Sequence, residues 1–444
     1  MSGIFLVAAK RTPFGSFGGS LKALSATDLG VISTTAALES ANVAPDAVDS
    51  VFFGNVIQSS PDAAYLSRHV ALKSGMKQST PSLTINRLCG SGFETVILGA
   101  HSIKLGESKI AACGGAENMS DAPLTVRGND ARWGVKLGKG LKMGDALWDG
   151  LTDSYAGTPM GITAENLAKK YNITREVSHN GRWTSWNISK QTLEKFQRKS
   201  SLEPPLTRTS FFGGQSLSDG NELQECDAFA IRSQQTWGTA NEAGLFDAEM
   251  APVEVKTRKG TKVIDTDEHP KPDTELEKIA KLPTVFDKEG VVTAASASGI
   301  CDGAGTILLA SEEAVKEHNL NPLCRLVSYS VVGCDPKIMG IGPVPAIQQA
   351  LERADLTMND VDRVEINEAF AAQFLACAKE LDLDMDKTNI HGGAISLGHP
   401  LGASGSRITA HLANEFSYSP ESKIHVGAAC IGGGQGIAVV LERA

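Results

Sequence analysis

The chain repeats itself. Residues Ala37–Val51 can be laid on Ala350–Val364 with seven of 15 positions identical at a constant offset of 313. Farther on, Ser108-Lys109-Ile110 before Cys113-Gly114-Gly115 echoes Ser422-Lys423-Ile424 before Cys430-Ile431-Gly432-Gly433, at an offset of 314. Two windows in order at nearly one offset point to an old duplication: two α/β halves of one topology, with a long insertion in the first.

Strands and helices alternate in both halves. Val51-Phe52-Phe53, Ile110–Cys113, Val364–Ile366 and Val426–Ala429 read as buried strands. Met1–Ala9 runs straight into an apparent core strand. Such alternation predicts mainly parallel sheets covered by helices. From about Asp121 to Gly290 charges, Pro and Gly become frequent and apolar strands vanish, as expected of an excursion over a sheet face.

Within that excursion Val177–Gln224 is anomalous. Its 48 residues hold eight Ser and two of the five Trp, with no helical or strand period. Thr174-Arg175-Glu176 before it reads as a capped helix start, and Glu225–Gln235 after it as the rest of the same helix. The segment begins Val-Ser, which can be coded GTNAGY, and ends Leu-Gln, which can be coded with a final CAG, the edges of an intron. A long structureless loop is rare, and the expectation is a translated retained intron or gene-model error rather than a genuine surface loop.

Composition excludes several classes. A net charge of −9 without a polybasic run argues against nucleic-acid binding. Eight cysteines with no CxxC pair disfavour zinc modules and a disulfide framework, and suit a reducing compartment. No run of 18 apolar residues is present, so no membrane insertion is expected. The N-terminus reads as neither signal nor transit peptide, and Glu442-Arg443-Ala444 is no peroxisomal address.

Four short stretches carry chemistry. Asn86-Arg87-Leu88-Cys89-Gly90-Ser91-Gly92 lies between a strand-like run, Ser82–Ile85, and a helical one, Phe93–His101. Cys89 therefore sits at a strand-to-helix turn, where free N–H groups and the helix dipole favour a thiolate. A buried structural cysteine is the alternative. Gly398-His399-Pro400-Leu401-Gly402-Ala403-Ser404-Gly405 opens a second helix, near the duplicate position of Cys89. Asn367-Glu368-Ala369-Phe370-Ala371 follows one strand, and Cys430–Gly436 follows the last but one. Singly, His399 could be a satisfied loop residue and Cys430 a core residue; Gly434-Gln435-Gly436 does not complete a dinucleotide loop. Jointly they predict Cys, His, Cys and Asn converging where the halves meet.

On these stretches the chain resembles the thiolase family. Val7–Gly15, Gly114–Ser120, Thr163–Ala168, Asp267-Glu268-His269 and Gly333–Pro336 extend the likeness over everything except Val177–Gln224. The resemblance implies a thiolase fold: two duplicated α/β halves in a five-layer αβαβα sandwich with an inserted loop domain. Residues 1–120 and 291–320 would form the N-terminal half, 121–290 the loop domain and 321–444 the C-terminal half. It also implies a homodimer or homotetramer, no metal and no cofactor, CoA being a substrate, and a place in the mitochondrial matrix.

The implied reaction is thiolysis of a 3-oxoacyl-CoA by CoA in fatty-acid β-oxidation, giving acetyl-CoA and a shortened acyl-CoA. By resemblance Cys89 is the nucleophile, His399 takes its proton, and Cys430 is the second acid/base. Asn367 holds a water that lines one oxyanion hole with His399; the N–H groups of Cys89 and Gly432 form the other. Two thiols suit the task if each has a pKa close to working pH. Lys271, Thr274 and Ser298 match CoA-binding positions. Lys271 stands where an Arg is common, and Ala295-Ser296 where the pattern reads Gly-Asn. A plain surface lysine remains the alternative for Lys271. The rival functions are condensation of two acetyl-CoA and an inactive scaffold disrupted by the insertion.

Overall fold

A computed structural model describes residues 3–175 and 225–444. Nine main strands are β1 (Ile4–Arg11), β2 (Ser50–Gly54), β3 (Ser82–Ile85), β4 (Ile110–Asn118), β5 (Cys301–Ser311), β6 (Cys324–Gly333), β7 (Arg363–Ile366), β8 (Ile424–Ile431) and β9 (Gln435–Arg443). Hydrogen bonds run through them in the order β7-β8-β9-β6-β1-β5-β4-β2-β3. The join between halves is narrow: β1 and β6 pair at Phe5↔Arg325 and Leu6↔Cys324. Two half-sheets thus meet at a corner and fold over one another.

The expectation of mainly parallel sheets needs correction. β2 is parallel to β3 and β4, and β7 to β8. The pairs β1–β5, β4–β5, β6–β9 and β8–β9 are antiparallel. The closing strand of each half, β5 or β9, slots between the first and the preceding strand from the opposite direction. In the second half it does so through the tight turn at Gly433 and Gly434, whose φ values of 79° and 84° suit glycine.

Main helices are α1 (Ala26–Ser40), α2 (Leu66–Lys73), α3 (Ser91–Lys104), α4 (Met160–Tyr171), α5 (Glu225–Glu242), α6 (Pro343–Glu352), α7 (Ala371–Leu381) and α8 (Ser404–Glu415). Side-chain alternation sorts them into layers. In β9, Ile437, Val439 and Leu441 face one apolar cluster, with Phe93, Val96, Ile408 and Leu412 of α3 and α8. Ala438 and Val440 face another, with Ile347 and Phe374 of α6 and α7. In β5, Ile307 and Leu309 join the α3/α8 cluster, while Leu308 and Ala310 join Leu29 and Val70 of α1 and α2. Strands buried on both faces need helices on both sides. The result is five layers, with α3 and α8 as the shared middle one.

The duplication extends to backbone detail. Asn42 and Asp355, related by the offset of the first repeat window, both adopt the left-handed conformation, with φ of 53° and 54°. Each ends the helix–loop segment read from the sequence, and a 3₁₀ turn follows in each copy, Pro45–Ala47 and Met358–Asp360. No described helix is long and apolar enough to cross a membrane.

Val177–Gln224 lies outside the described residues, but its flanks do not. The Thr174 N–H donates to a Glu225 carboxylate oxygen at 3.4 Å, and the Cys226 N–H to the Thr174 carbonyl at 3.4 Å. Arg175 pairs with Asp227 at 2.7 Å. With 177–224 left out of the count, these are an N-cap carbonyl bonded to the fourth helical N–H and a third-position Glu reaching back to the cap. The flanks thus bond as one capped helix. A protein with Glu176 joined to Glu225 is therefore expected to keep its helix content and to melt no lower than the full chain. In that background Thr174→Ala should cost about 1 kcal/mol in chemical denaturation. A large fall in melting temperature on deletion would show that the segment belongs to the fold.

Candidate active site

Cys89 is placed by a strained turn. Leu88 just before it has φ of 46°, unusual for a branched apolar residue. The turn is tied from both sides: Asn86 Oδ1 accepts the Leu88 N–H at 2.9 Å, and Ser91 Oγ accepts the Arg87 N–H at 2.9 Å while donating to the Leu88 carbonyl at 2.7 Å. Gly90 then starts α3. A Cβ there would lie 2.5 Å from Ile431 Cδ1, so the turn rests directly on the end of β8.

Four stretches from both halves meet here. The backbone N–H groups of Gly432 and of Cys89 itself lie near the Cys89 sulfur and favour its thiolate. Cys430 is close enough for its ionisation to be opposed by Cys89. It is the last residue but one of β8, inside the strand rather than after it, in an apolar cage with Ala164, Val292, Met339 and Phe370. Asn367, fully buried, continues the β7 ladder through its N–H to the Ala428 carbonyl at 2.9 Å. Its Nδ2 lies 3.4 Å from His399 Nε2. His399 Nδ1 lies 2.6 Å from Ser404 Oγ, which donates in turn to the Pro400 carbonyl at 3.1 Å. These contacts assign the proton to Nδ1 and leave the Nε2 lone pair on the site.

Comparison with known proteins shows the family. The Thiolase, N-terminal domain family matches residues 4–192 and 221–313, and the Thiolase, C-terminal domain family matches 320–443. The chain belongs to the thiolase family. It is 52% identical over 443 residues to the 3-ketoacyl-CoA thiolase, mitochondrial, of Bos taurus, covering 100% of this chain and 99% of that one. The acetyl-CoA acetyltransferase of Escherichia coli is 41% identical, with both chains covered to 100%. Among solved structures, human mitochondrial 3-ketoacyl-CoA thiolase superposes with a TM-score of 0.87 at 51% identity, covering 100% of this chain and 99% of that one. Its complex with CoA gives 0.86 at 50%, covering 100% and 98%. The N-terminal family match omits 193–220, inside the anomalous segment.

Electrostatics departs from the sequence expectation in one respect. The N–H groups do favour the Cys89 thiolate, but burial outweighs them and pushes its pKa up to about 11. Cys430 is raised well above an ordinary thiol, also by burial and by the neighbouring cysteines. Neither thiol is poised near working pH: Cys430 is fully buried, and Cys89 is partly buried among apolar side chains that displace much of the water an anion needs. His399 is pushed down to about 3 by burial and by the Arg407 charge. The resting site therefore holds two neutral thiols and a neutral imidazole.

The three positions expected to bind CoA fall into two groups. Lys271, exposed, and Thr274 share one turn, in which Thr274 Oγ1 donates to the Lys271 carbonyl at 2.7 Å, and the Lys271 N–H anchors it to Gln234 of α5 at 2.7 Å. Ser298 sits beside the catalytic stretches: its N–H donates to the Ala369 carbonyl at 3.0 Å. Ser296, where the family pattern has Asn, closes its loop by accepting the Thr293 N–H at 2.9 Å, and its carbonyl receives the Ala371 N–H at 2.8 Å. Sequence reasoning assigned no role to Ser404 or Glu117, although both lay within quoted motifs. Their partners are distant in sequence or hidden in backbone, and a motif does not show them.

Alkylation of Cys89 by iodoacetamide, followed by peptide mass spectrometry, tests this balance. Because the folded thiol's pKa is raised, the thiolate fraction should climb about tenfold per pH unit from pH 7 to 10 without levelling. A plateau below pH 8 would mean that the N–H groups win over burial.

Proposed function

We propose that this chain is a mitochondrial-matrix 3-ketoacyl-CoA thiolase. It cleaves a 3-oxoacyl-CoA with CoA in fatty-acid β-oxidation, yielding acetyl-CoA and an acyl-CoA two carbons shorter. The observation that carries the reading is the meeting of Asn367 and His399, Nδ2 to Nε2 at 3.4 Å, with Cys89 close enough to Cys430 to oppose its ionisation. The names of the 50–52% identical mammalian relatives supply the substrate and compartment.

The chemistry follows from the neutral resting state. His399 Nε2 takes the Cys89 proton as the sulfur attacks the C3 carbonyl, so thiolate exists only when it is used. The oxyanion formed at C3 meets the Cys89 and Gly432 N–H groups, preorganised donors that cost no reorganisation. Collapse breaks the C2–C3 bond and leaves Cys89 acylated. The enolate of acetyl-CoA is stabilised at its thioester oxygen by His399 and by a water held on Asn367, whose Oδ1 is buried with no hydrogen-bond partner among the described residues. Cys430, a thiol at rest, gives its proton to C2. It then takes the proton of the incoming CoA thiol, which attacks the acyl group; the Cys89 thiolate leaves and recovers its proton from His399.

Lys271, Thr274 and Ser298 hold CoA in this reading, with Lys271 as a point cation for phosphate. No metal or cofactor takes part. In this reading the chain divides at 120/121, 290/291 and 320/321; the change of family match between 313 and 320 supports the last of these alone. A homodimer or homotetramer is part of the proposal. β3 ends the sheet with one strand neighbour and an exposed Leu83, an edge a second copy could cover.

Incubation with 3-oxoacyl-CoA substrates of graded length, with CoA, should release acetyl-CoA. Intact-mass analysis should find one acyl group on Cys89. Cys89→Ala should abolish acylation, and Cys430→Ser should acylate slowly but not turn over, losing at least about 100-fold in kcat. Near-normal turnover by Cys89→Ala would overturn the mechanism, and faster acetyl-CoA condensation than thiolysis on every chain length would favour the acetyltransferase reading.

A further inference from the structure

Among the buried carboxylates that the thiolysis mechanism does not use, Glu117 joins the two halves at the site. Glu117, at the end of β4, is fully buried and makes no ion pair with a described residue. It accepts four hydrogen bonds instead. Oε1 takes the Asn55 Nδ2 at 3.0 Å and the Ile57 N–H at 2.9 Å; Oε2 takes the Val56 N–H at 3.1 Å and the Gly402 N–H at 2.8 Å. The first three donors belong to the loop after β2, in the first half. The fourth belongs to the loop that carries His399, in the second.

Each loop leads directly to a reacting group. Asn86 Nδ2 donates to the Val56 carbonyl at 3.3 Å, and Leu88 and Cys89 pack on Val56, Ile57 and Leu401. Gly402 lies three residues from His399, and the Pro400 carbonyl between them accepts the Ala403 and Ser404 N–H groups at 2.9 Å each. One carboxylate therefore ties the floor of the Cys89 turn to the loop of its base.

We propose that Glu117 is a positioning residue for acylation: its ionised carboxylate clamps the His399 loop to the Cys89 turn and sets the distance over which the proton moves. The inference rests on the thiolase reading above. A carboxylate does this where no neutral side chain of the same size would, because it offers two acceptor oxygens to donors on both sides. Protonation turns one acceptor into a donor facing N–H groups and opens one side of the clamp. Burial pushes the Glu117 carboxyl up to about 7, and the N–H donors pull against that. The titratable groups facing it are Asp302 of β5, which opposes its ionisation, and the Cys89 thiol, neutral at rest. Acylation should therefore fall as pH drops through about 7, a limb His399 cannot produce with its pKa near 3.

Glu117→Gln tests the clamp without changing volume. Rapid-quench mass spectrometry should show the acylation rate of Cys89 reduced about 100-fold, the loss expected of a misplaced reacting pair, with KM little changed. The acid limb should vanish, leaving a flat, low profile between pH 6 and 8. A simple packing defect would lower the rate but keep the limb. Glu117→Asp carries the test if the amide does not fold: charge and limb stay, while the shorter reach lowers the rate. Wild-type acylation by either variant, or an unchanged acid limb in Glu117→Gln, overturns the proposal. A wild-type protein never acylated on Cys89 overturns the thiolase reading itself, and the clamp with it.

Discussion

Everything at the site depends on a backbone-to-backbone contact between two glycines. Gly92 in α3 and Gly405 in α8 are related by the repeat offset of 313. A Cβ on Gly92 would lie 2.4 Å from the Ser406 nitrogen, and one on Gly405 would lie 2.2 Å from the Phe93 nitrogen. Helices carrying any side chain there would have to move apart. With hydrogen alone, the two helices cross at their first turns, and the segments that lead into them, Asn86–Gly90 and Gly398–Ala403, are pressed together. The middle layer of the sandwich exists to make that crossing. The apolar residues of α3 and α8 then bind it to both half-sheets.

Such close packing explains the electrostatics. Helix N-termini and N–H donors would make Cys89 a ready thiolate in water, but packing at the crossing displaces much of that water and leaves the thiol only partly exposed. Burial holds Cys89 as a thiol and His399 as a neutral imidazole. The same exclusion strengthens every N–H dipole aimed at the reacting atoms.

Much of this was legible in the sequence because it is local. The twin helix–loop–strand units follow from identities such as Val48/Val361 and Asp49/Asp362, and the helix start at Thr174 from a capping rule that spans four residues. The strand–turn–helix around Cys89 follows from alternating and helical spacing. Strand direction was not legible: β5 reads as an apolar run whichever way it enters, and its partners lie far away in the chain at β1 and β4. The thiol pKa was misjudged for a related reason. The turn supplies the N–H donors, but the burial comes from residues far off in the chain, Val56, Ile57, Met119, Leu147 and Leu401. Glu117 sat in a quoted motif, yet three of its four donors are backbone N–H groups that no side-chain pattern reveals.

A doubled fold could hold two active sites, and the structure shows why it holds one. By the offset of 313, the counterpart of Cys89 is Gly402, that of Asn367 is Gly54, and that of His399 is Asn86. Gly402 and Gly54 lie against each other: a Cβ on Gly402 would be 2.8 Å from the Gly54 carbonyl oxygen, and one on Gly54 would be 3.1 Å from that of Gly402. Ala116, counterpart of Cys430 at offset 314, adds its carbonyl oxygen 3.1 Å from the same Gly402 position. The mirror-related pocket is filled by backbone, and Glu117 bonds to it through Gly402. Asn86, in place of a base, fixes the Leu88 N–H and so holds the Cys89 turn. One copy of the site has become the support of the other, which is why the residues that hold Cys89 and His399 come from both halves at once.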